Sequence, residues 1–282
     1  MGNIMVTNPN NVIFREKIYR VDIQGRLDLS GQNIKDVNEI EGLIDLKGLK
    51  ALDLSSNKIS HIQGLNNLRS LEYLNLKNNR VINLQGLDGL VNLRSLNLED
   101  NIIKEIKNLE GLINLEELNI VRNVITEIKG LNHLTNLKKL HLGVNCIEEI
   151  KGLECLKQLK WLHFGFNSIK EIKGLEHLVF LEEFYLQDNY ITEIKGLNSL
   201  RNLKLLYLFK NNISEIKGLE NLQNLQELYI GKNKIPNEQV ERLGGWDYSK
   251  LQSVGYVKDP QKFVTFCQKN NGDEKSEGRN TY

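Results

Sequence analysis

The sequence predicts an α/β repeat solenoid, in which successive coils of the chain stack and share one apolar core. The first observation is a unit of 22 residues that reads L-x-x-L-x-L-x-x-N-x-I-x-x-I-x-x-L-x-x-L-x-x. Fixed periods of about 20 to 50 residues are typical of stacked repeats. The second observation is an asparagine that recurs every 22 residues, at Asn57, Asn79, Asn101, Asn123, Asn145, Asn167, Asn189, Asn211 and Asn233.

The third observation is the alternation of apolar and polar residues at the start of each unit. In one copy, Leu118 and Ile120 alternate with Glu117 and Asn119, which predicts a strand with one buried face. The remaining leucines and isoleucines recur every three residues, which favours a tight helical or 3₁₀ return path. A looser tenth copy, which starts at Leu27, precedes the others and carries a three-residue insertion around positions 38–40.

Two residue columns mark the bends of each coil. Where the strand ends, backbone groups lose their ladder partners, and an asparagine side chain carries both the donors and the acceptor that they need. A second column holds a glycine in most copies, which indicates a bend of positive φ or close approach. Asn108 replaces glycine in this column, and asparagine tolerates a left-handed backbone well.

This pattern resembles the leucine-rich repeat family, specifically the 22-residue class found in regulatory subunits of type 1 protein phosphatase. The resemblance covers roughly residues 26–236. It implies a horseshoe with a concave parallel β-sheet and a convex side of 3₁₀, short-helical or extended segments. It also implies a protein partner on the concave face, and a regulatory or scaffold role on a signalling enzyme such as a phosphatase.

The sequence divides into four segments. We predict an N-terminal cap over residues 1–25, ten repeats over 26–236, a C-terminal helical cap over 237–269 and a disordered polar tail over 270–282. In the C-terminal cap, we expect Asn237 to cap a short helix and Asp259 to cap a second helix that starts at Pro260. Trp246, Tyr248 and Tyr256 are expected to pack over the last repeat.

Composition argues against several classes of partner. A net charge of +1 favours neither nucleic acid nor a membrane surface. Three cysteines form no paired framework, and residues 1–20 lack the apolar stretch of a secretory signal. We therefore expect a cytoplasmic monomer that needs no cofactor and binds neither nucleic acid nor a membrane.

Few residues suggest chemistry. His133, Cys155 and His177 occupy one column and could in principle hold zinc, but other copies place small polar residues there, which favours a surface position. Cys267 is a candidate nucleophile, although a structural thiol fits its apolar surroundings better. Glutamate and lysine columns two residues apart, such as Glu149 and Lys151, favour a solvated edge. No phosphate loop, HExxH or GxSxG motif occurs, so we predict no enzymatic activity.

The strand positions that point away from the core carry the strongest functional signal. The residue between the two strand leucines changes from aspartate and asparagine in the first copies to histidine and then tyrosine. Exposed aromatic patches are typical of binding surfaces, although stacking along the sheet is the structural alternative. The predicted partner-binding residues are His141, Val144, Trp161, His163, Phe166, Tyr185, Leu205, Tyr207, Phe209 and Tyr229. Gly143 and Gly165 are expected to leave gaps beside the histidines.

Three classes of function stay open. The favoured class is a non-enzymatic module that binds a protein. The first alternative is a structural or adhesive repeat protein without a regulatory role, and the second is an enzyme with an unrecognised site.

Overall fold

A computed structural model describes residues 10–247 and 255–277 of the chain. Residues 1–9, 248–254 and 278–282 lie outside this description, and so does the predicted packing of Tyr248. The chain divides into two compact units, Met1–Lys139 and Leu140–Tyr282. Each unit is a stack of repeats, and the fold is a parallel-sheet solenoid with few helices, as the sequence predicted.

The first unit starts with an antiparallel hairpin that covers the first repeat. In this hairpin Val12 and Phe14 are buried, whereas Ile18 is 48% exposed. The strands that follow pair in parallel with one another from β3 to β7. The elements are β1 (Asn11–Phe14), β2 (Lys17–Arg20), β3 (Arg26–Asp28), β4 (Ala51–Asp53), β5 (Tyr73–Asn75), β6 (Ser95–Asn97) and β7 (Glu117–Asn119).

The second unit continues the pattern and ends in two helices. Its strands pair in parallel from β9 to β12, with every central residue buried in the core. The elements are β8 (Lys139–His141), which starts at the boundary, β9 (Trp161–His163), β10 (Glu183–Tyr185), β11 (Leu205–Tyr207), β12 (Glu227–Tyr229), α1 (Asn237–Arg242) and α2 (Pro260–Glu277).

The return path of each coil is built from successive tight turns. The amide of Leu156 bonds to the carbonyl of Leu153, and that of Leu159 to Leu156, each at 3.0 Å. Regular 3₁₀ helix occurs in the described residues only in the first repeat, at Val37–Glu39 and Leu43–Asp45. The leucines at three-residue spacing are buried on these turns, so the spacing predicted a tight return correctly but did not distinguish turns from a 3₁₀ helix.

The asparagine column is the predicted hydrogen-bonding device. The Nδ2 group of Asn189 donates to the carbonyls of Phe164 at 3.0 Å and Leu186 at 3.1 Å, while Oδ1 accepts from the Ile169 amide at 2.9 Å. Asn189 is buried, so each of these groups would otherwise lack a partner away from water. The side chain thus ties its own repeat to the preceding one.

The glycine column forms a bend of positive φ. Gly218 has φ of 75°, and a Cβ there would lie 2.0 Å from the carbonyl oxygen of Ile194. Both the backbone conformation and the close approach therefore require glycine. Asn108, the exception in this column, has φ of 60°, as its sequence position predicted.

The C-terminal cap follows the expected order with two corrections. Asp259 caps α2 by accepting from the Gln261 amide at 3.1 Å, as predicted. Asn237 does not cap α1; it is the first residue of the helix, and its Oδ1 accepts from Trp246 Nε1 at 2.7 Å, because a tertiary donor is in reach. The helix α2 extends to Glu277, so residues 270–277 of the predicted disordered tail are helical.

The physical reason for the second correction is that a polar, charged segment can be either an exposed helix or disordered. Lysine and glutamate are good helix formers, and composition alone does not separate the two states. Within the described ranges, neither helix combines the length and apolar character that crossing a membrane requires.

Candidate functional site

A continuous row of rings runs across the outward face of the second unit. We call it the aromatic file; it consists of His141, Trp161, His163, Tyr185, Tyr207, Tyr229 and Tyr256. Ring centroids of sequential neighbours lie between 4.3 and 6.1 Å apart along the central column from His141 to Tyr229. These are the distances of stacked and edge-to-face contacts, so the rings support one another.

Trp161 is more enclosed than the sequence suggested. Its ring lies 4.9 Å from His141, 5.7 Å from His163 and 5.4 Å from Tyr185, and the residue is half-buried. Stacking along the sheet therefore explains much of why aromatic residues occupy the column from His141 to Tyr229. Trp161 thus stabilises the surface to which it belongs.

His163 is held neutral within the file. Its Nδ1 accepts from the Gly165 amide at 3.2 Å, and its Nε2 lies 3.0 Å from the side-chain amide of Gln187. Burial first, and then the neighbouring His141, lower the pKa of His163 from 6.5 to about 3. Because Nδ1 is an acceptor, we assign the proton of the neutral ring to Nε2. The Gln187 atom placed beside it is the amide nitrogen, and the amide oxygen is buried without a partner, so we also assign the Gln187 amide the opposite orientation, in which its oxygen accepts from the ring.

The glycines beside the histidines do not leave gaps, which corrects the sequence-based expectation. A Cβ on Gly143 would lie 2.6 Å from Nδ1 of His163, and one on Gly165 would lie 2.5 Å from the Gln187 side chain. The glycines are needed because the ring and the amide lie flat on the strands. Sequence alone placed the small residues correctly but could not show what covers them.

We expect the His163 ring to remain neutral and in the Nε2–H form at pH 5, as nitrogen-15 NMR of the imidazole would show. Since the pKa is about 3 in the folded state and 6.5 as the reference for the unfolded chain, the unfolded state binds more protons between these values. Stability should therefore fall as pH decreases through that window. The variant His163→Gln should lose this part of the pH dependence, and an unchanged acid slope in the variant would contradict the assignment.

Two tyrosines of the file are oriented by carboxylates. Tyr185 donates its hydroxyl to Glu183 at 2.6 Å, and Tyr229 donates to Glu227 at 3.0 Å. Burial and then these carboxylates raise the pKa of both tyrosine hydroxyls, so both remain protonated donors. Tyr207 lies between these two tyrosines, and burial raises the pKa of its hydroxyl as well. The glutamates were not among the predicted site residues.

Beside the file lies a smaller apolar group with one cation. Leu205 and Phe209 are half-buried, and the Phe209 ring lies 6.3 Å from Tyr207. The ammonium group of Lys232 lies 5.3 Å from the centroid of Phe209, within cation–π range. All predicted residues from His141 to Tyr229 thus belong to one side of the second unit.

Val144 and Phe166 differ from the rest of the predicted set because they are exposed and backbone-strained. They are 40% and 49% exposed, and their φ values are 53° and 61°. Val144 and Phe166 occupy the repeat position just before the column asparagine, and this position has positive φ in every repeat. Main-chain hydrogen bonds fix the backbone there; the Phe166 amide, for example, donates to the Gln187 carbonyl at 2.8 Å. The first repeat has Gly31 there, and the seven others have polar or charged residues: Ser56, Asn78, Asp100, Arg122, Asp188, Lys210 and Lys232.

The outward column of the first unit has a structural role. The side chains of Asp53, Asn75 and Asn97 each accept a hydrogen bond from the amide two residues further along, at 2.8 to 3.1 Å. His163 makes the equivalent bond through Nδ1 in the second unit. The change from aspartate or asparagine to histidine at His163 therefore preserves an acceptor for this backbone amide.

The other chemical candidates have structural roles. Cys267 is buried, and burial first, with Glu220 adding to the effect, raises the pKa of its thiol to about 11, which makes it a poor nucleophile. Lys195 bridges Glu171 and Glu193, each at 3.7 Å, so the charged columns pair within and between repeats. His133 and His177 are exposed, and the described residues contain no group of three potential ligands placed to hold a metal ion.

Sequence reasoning missed three contributors: Glu183, Glu227 and Gln187. Glu183 and Glu227 lie two positions before tyrosines on the same strand face, a spacing that could have signalled the bonds. Tyr256 extends the file from outside the repeats, with its ring 4.8 Å from Tyr229. The sequence analysis expected Tyr256 to pack over the last repeat, and the structure confirms this, since Tyr256 is buried and forms a β-bridge with Tyr229.

Two models of the same repeat match the sequence. The model described as "Leucine-rich repeat" matches residues 5–131, and the one described as "Leucine Rich repeats (2 copies)" matches residues 113–155 and 201–243. The sequence has no significant match among curated proteins.

Solved structures with the same fold are numerous. An internalin, InlF from Listeria monocytogenes, is 26% identical with a TM-score of 0.60, over 76% of this chain and 68% of that one. The functional domain of InlJ from the same organism is 28% identical with a TM-score of 0.65, over 75% of this chain and 45% of that one. TLR13 in complex with ssRNA13 is 28% identical with a TM-score of 0.62, over 76% of this chain and 32% of that one.

Proposed function

Because this chain is a leucine-rich repeat protein, we propose that it is a non-enzymatic module that binds a protein partner on the outward face of strands β8 to β12. The family resemblance would make this the concave face. The chain spans less than half of InlJ and about a third of TLR13, so any function of those whole proteins is carried over only as part of this proposal.

The observation that carries the proposal is the pair Val144 and Phe166. A left-handed backbone costs an ordinary L-residue about 1–2 kcal/mol, and it is least suited to a β-branched or bulky side chain. Neither residue recovers this cost by burial, since both are substantially exposed. Strained residues of this kind cluster at ligand-binding sites. A surface-exposed valine and phenylalanine at adjacent repeats therefore indicate selection for contact with a partner.

The neighbouring file makes a suitable platform for that contact. Its rings are fixed by mutual stacking, so few rotamers remain to be ordered on binding. Phe166 and Val144 act as exposed anchors, and Trp161, Leu205, Tyr207 and Phe209 form the half-buried surface beside them. Tyrosine and tryptophan are enriched at the centres of interfaces.

Other roles have less support. TLR13 was solved with single-stranded RNA, but in this chain Glu183 and Glu227 lie along the file, and carboxylates disfavour a phosphate backbone. A regulatory role on a phosphatase or another signalling enzyme is a narrower form of the proposal, and the relatives named above do not support it. A structural or adhesive protein would leave Val144 and Phe166 without a purpose.

The substitution Phe166→Asn should weaken partner binding by about 2 kcal/mol or more, roughly 30-fold, because it removes an exposed anchor while the left-handed backbone suits asparagine. Proteins captured from native lysate by the wild-type chain would be identified by mass spectrometry, and their affinities for the variants measured.

Phe180 provides the matched control. It is 48% exposed in the same unit, on a different column, so Phe180→Asn removes an equal ring from elsewhere on the surface. Partners lost with Phe180→Asn but retained with Phe166→Asn would place binding on the lateral surface and refute the proposal.

A further inference from the structure

We propose that the partner segment is acidic at one end and places a carboxylate against Lys232 and Lys234 of the last repeat. This inference rests on the proposed function and names the chemistry of the segment that binds. The surface concerned lies just beyond the ends of strands β8 to β12, beside the column asparagines. We call it the strand-end edge; in each repeat from Asn145 to Asn233 it comprises the two residues before the asparagine and the one after it.

The charge of the strand-end edge changes along the stack. Its first two repeats carry the exposed anchors of the proposed function and no charged residue. In the next two repeats, Asp188 and Lys210 pair with each other at 2.6 Å, so their charges offset one another. The last repeat adds Lys232 and Lys234. The edge is therefore apolar at one end, neutral in the middle and positively charged at the other end.

The two lysines of the last repeat have no carboxylate of their own. Both are exposed, and neither makes an ion pair in the part of the chain that the structure describes. The lysines of the preceding repeat differ, because Lys204 contacts Glu182 and Lys210 contacts Asp188, each at 2.6 Å. The positive charge at the end of the edge is therefore available to an acidic residue of a partner.

Lys232 is also held beside the aromatic file. Its ammonium group lies 5.3 Å from the centroid of Phe209, and that ring lies 6.3 Å from Tyr207. An ammonium group has three N–H donors, so contact with one ring leaves capacity for a charge-assisted hydrogen bond to a carboxylate. A cation that is already oriented in this way loses little freedom when a partner binds.

The separation between the two ends of the edge predicts the spacing within the partner segment. Phe166 follows β9 and Lys232 follows β12 at the same repeat position, so three strand spacings separate them. Neighbouring strands lie about 4.7–4.9 Å apart, which places the two backbone positions about 14–15 Å apart. An extended chain covers about 3.3–3.4 Å per residue. A segment that lies across the strands would therefore carry its acidic residue about four positions from the apolar residue that contacts Phe166.

A nucleic acid fits this distribution of charge less well than a protein segment. A single strand carries a negative charge at every nucleotide, whereas the strand-end edge has uncompensated positive charge only at its last repeat. A protein segment with an apolar residue at one end and an acidic residue at the other matches both ends of the edge.

Peptide libraries test the acidic end without knowledge of the natural partner. Three libraries of peptides of about twelve residues would have a central leucine and, four positions to either side of it, glutamate, glutamine or lysine. All other positions would be randomised among uncharged residues, and binding to the full chain would be measured at low and at high salt.

We expect the tightest glutamate peptides to bind about fivefold more tightly than their glutamine counterparts at low salt, with the lysine peptides weakest. The difference should shrink at high salt, because the charges are screened. Equal affinities of the glutamate and glutamine peptides at low salt would overturn the inference. An oligouridylate that displaces the glutamate peptides at an equal concentration would overturn it as well.

Variants assign the preference to the last repeat. In Lys232→Gln/Lys234→Gln, both charges are lost while side chains of similar length remain, so the preference for glutamate should fall to about onefold. The control Lys157→Gln/Lys170→Gln removes two exposed lysines of the same unit that lie on other columns and make no ion pair within the described residues. This control should retain the preference. A preference that survives the first double variant, or disappears in the control, would refute the assignment to Lys232 and Lys234.

A further arm separates this inference from the proposed function. Peptides that bind the wild-type chain but not Phe166→Asn, with equal affinities for glutamate and glutamine, would support the binding face and refute only the acidic end. Libraries in which no peptide binding depends on Phe166 would refute both.

Discussion

Replacing Asn189 by alanine is expected to lower the free energy of unfolding by at least about 1–3 kcal/mol. The substitution leaves the carbonyls of Phe164 and Leu186 and the amide of Ile169 without their side-chain partner in a buried bend. Water cannot readily replace that side chain, because Asn189 is 6% exposed. Because each bond either closes the bend or joins it to the preceding repeat, we also expect the second unit to unfold less cooperatively.

Urea denaturation followed by circular dichroism would measure both effects. Asn212→Ala is the appropriate control, since the Asn212 side chain makes no hydrogen bond within the described residues although it lies in the same kind of bend. A midpoint for Asn189→Ala equal to that of the control would show that the asparagine column does not stabilise the stack in the way its geometry indicates.

Replacing both Val144 and Phe166 by asparagine should raise the free energy of unfolding by about 1–2 kcal/mol. Asparagine occupies the left-handed region more readily, and Asn78 does so at the same position of another repeat with φ of 54°. The same double variant should lose its partner, so stability and binding should change in opposite directions. Functional residues commonly show this opposition, because a binding surface is not selected for the stability of the free protein.

Thermal melts of the double variant and of Val179→Asn would isolate the backbone contribution. Val179 is 42% exposed, like Val144, but it is not among the residues of positive φ, so its replacement should give no comparable gain. A double variant less stable than the wild type would mean that Val144 and Phe166 contribute to folding, and the argument from strain would fail.

The repeat register could be derived from the sequence because several constraints act at the same spacing. Leu118 must be buried, Asn123 must satisfy a bend and Gly130 must adopt positive φ, and each requirement selects a residue type at a fixed position. Strand alternation also predicted correctly which strand residues of the set point away from the core, whereas their role in binding stays a prediction.

The contacts of those outward side chains could not be derived, because the period does not constrain them. His163 could have faced solvent or lain on Gly143, and both conformations satisfy the strand pattern equally. Its neutral state depends on burial and on Gln187, which belongs to the next repeat. Exposure also depends on neighbouring rings, which is why Trp161 proved half-buried whereas Phe166 is exposed.

Residues that break the repeat pattern are more informative about the protein surface than residues that follow it. A second set of asparagines, which includes Asn202 and Asn224, donates to carbonyls 23 residues earlier at 2.8 Å. Phe180 stands in that column and interrupts it, just as Val144 and Phe166 interrupt the polar left-handed column. Where the surrounding pattern already explains a residue type, an exception needs its own reason.

The reach of the asparagine side chain also determines where this protein can change length. From Asn79 onward, the described hydrogen bonds of the column asparagines join Nδ2 to a carbonyl 25 residues earlier in the sequence and Oδ1 to an amide 20 residues earlier. For Asn57 these separations are 28 and 23 residues. The same three bonds therefore form across a repeat that is three residues longer, with the 3₁₀ turns after Ile34 taking up the difference. Insertions are thus accommodated on the return side, while the strand side keeps its register. Whole repeats can be added or lost in steps of 22 residues, and new loops can arise on the return side, without rebuilding the outward surface of the strands.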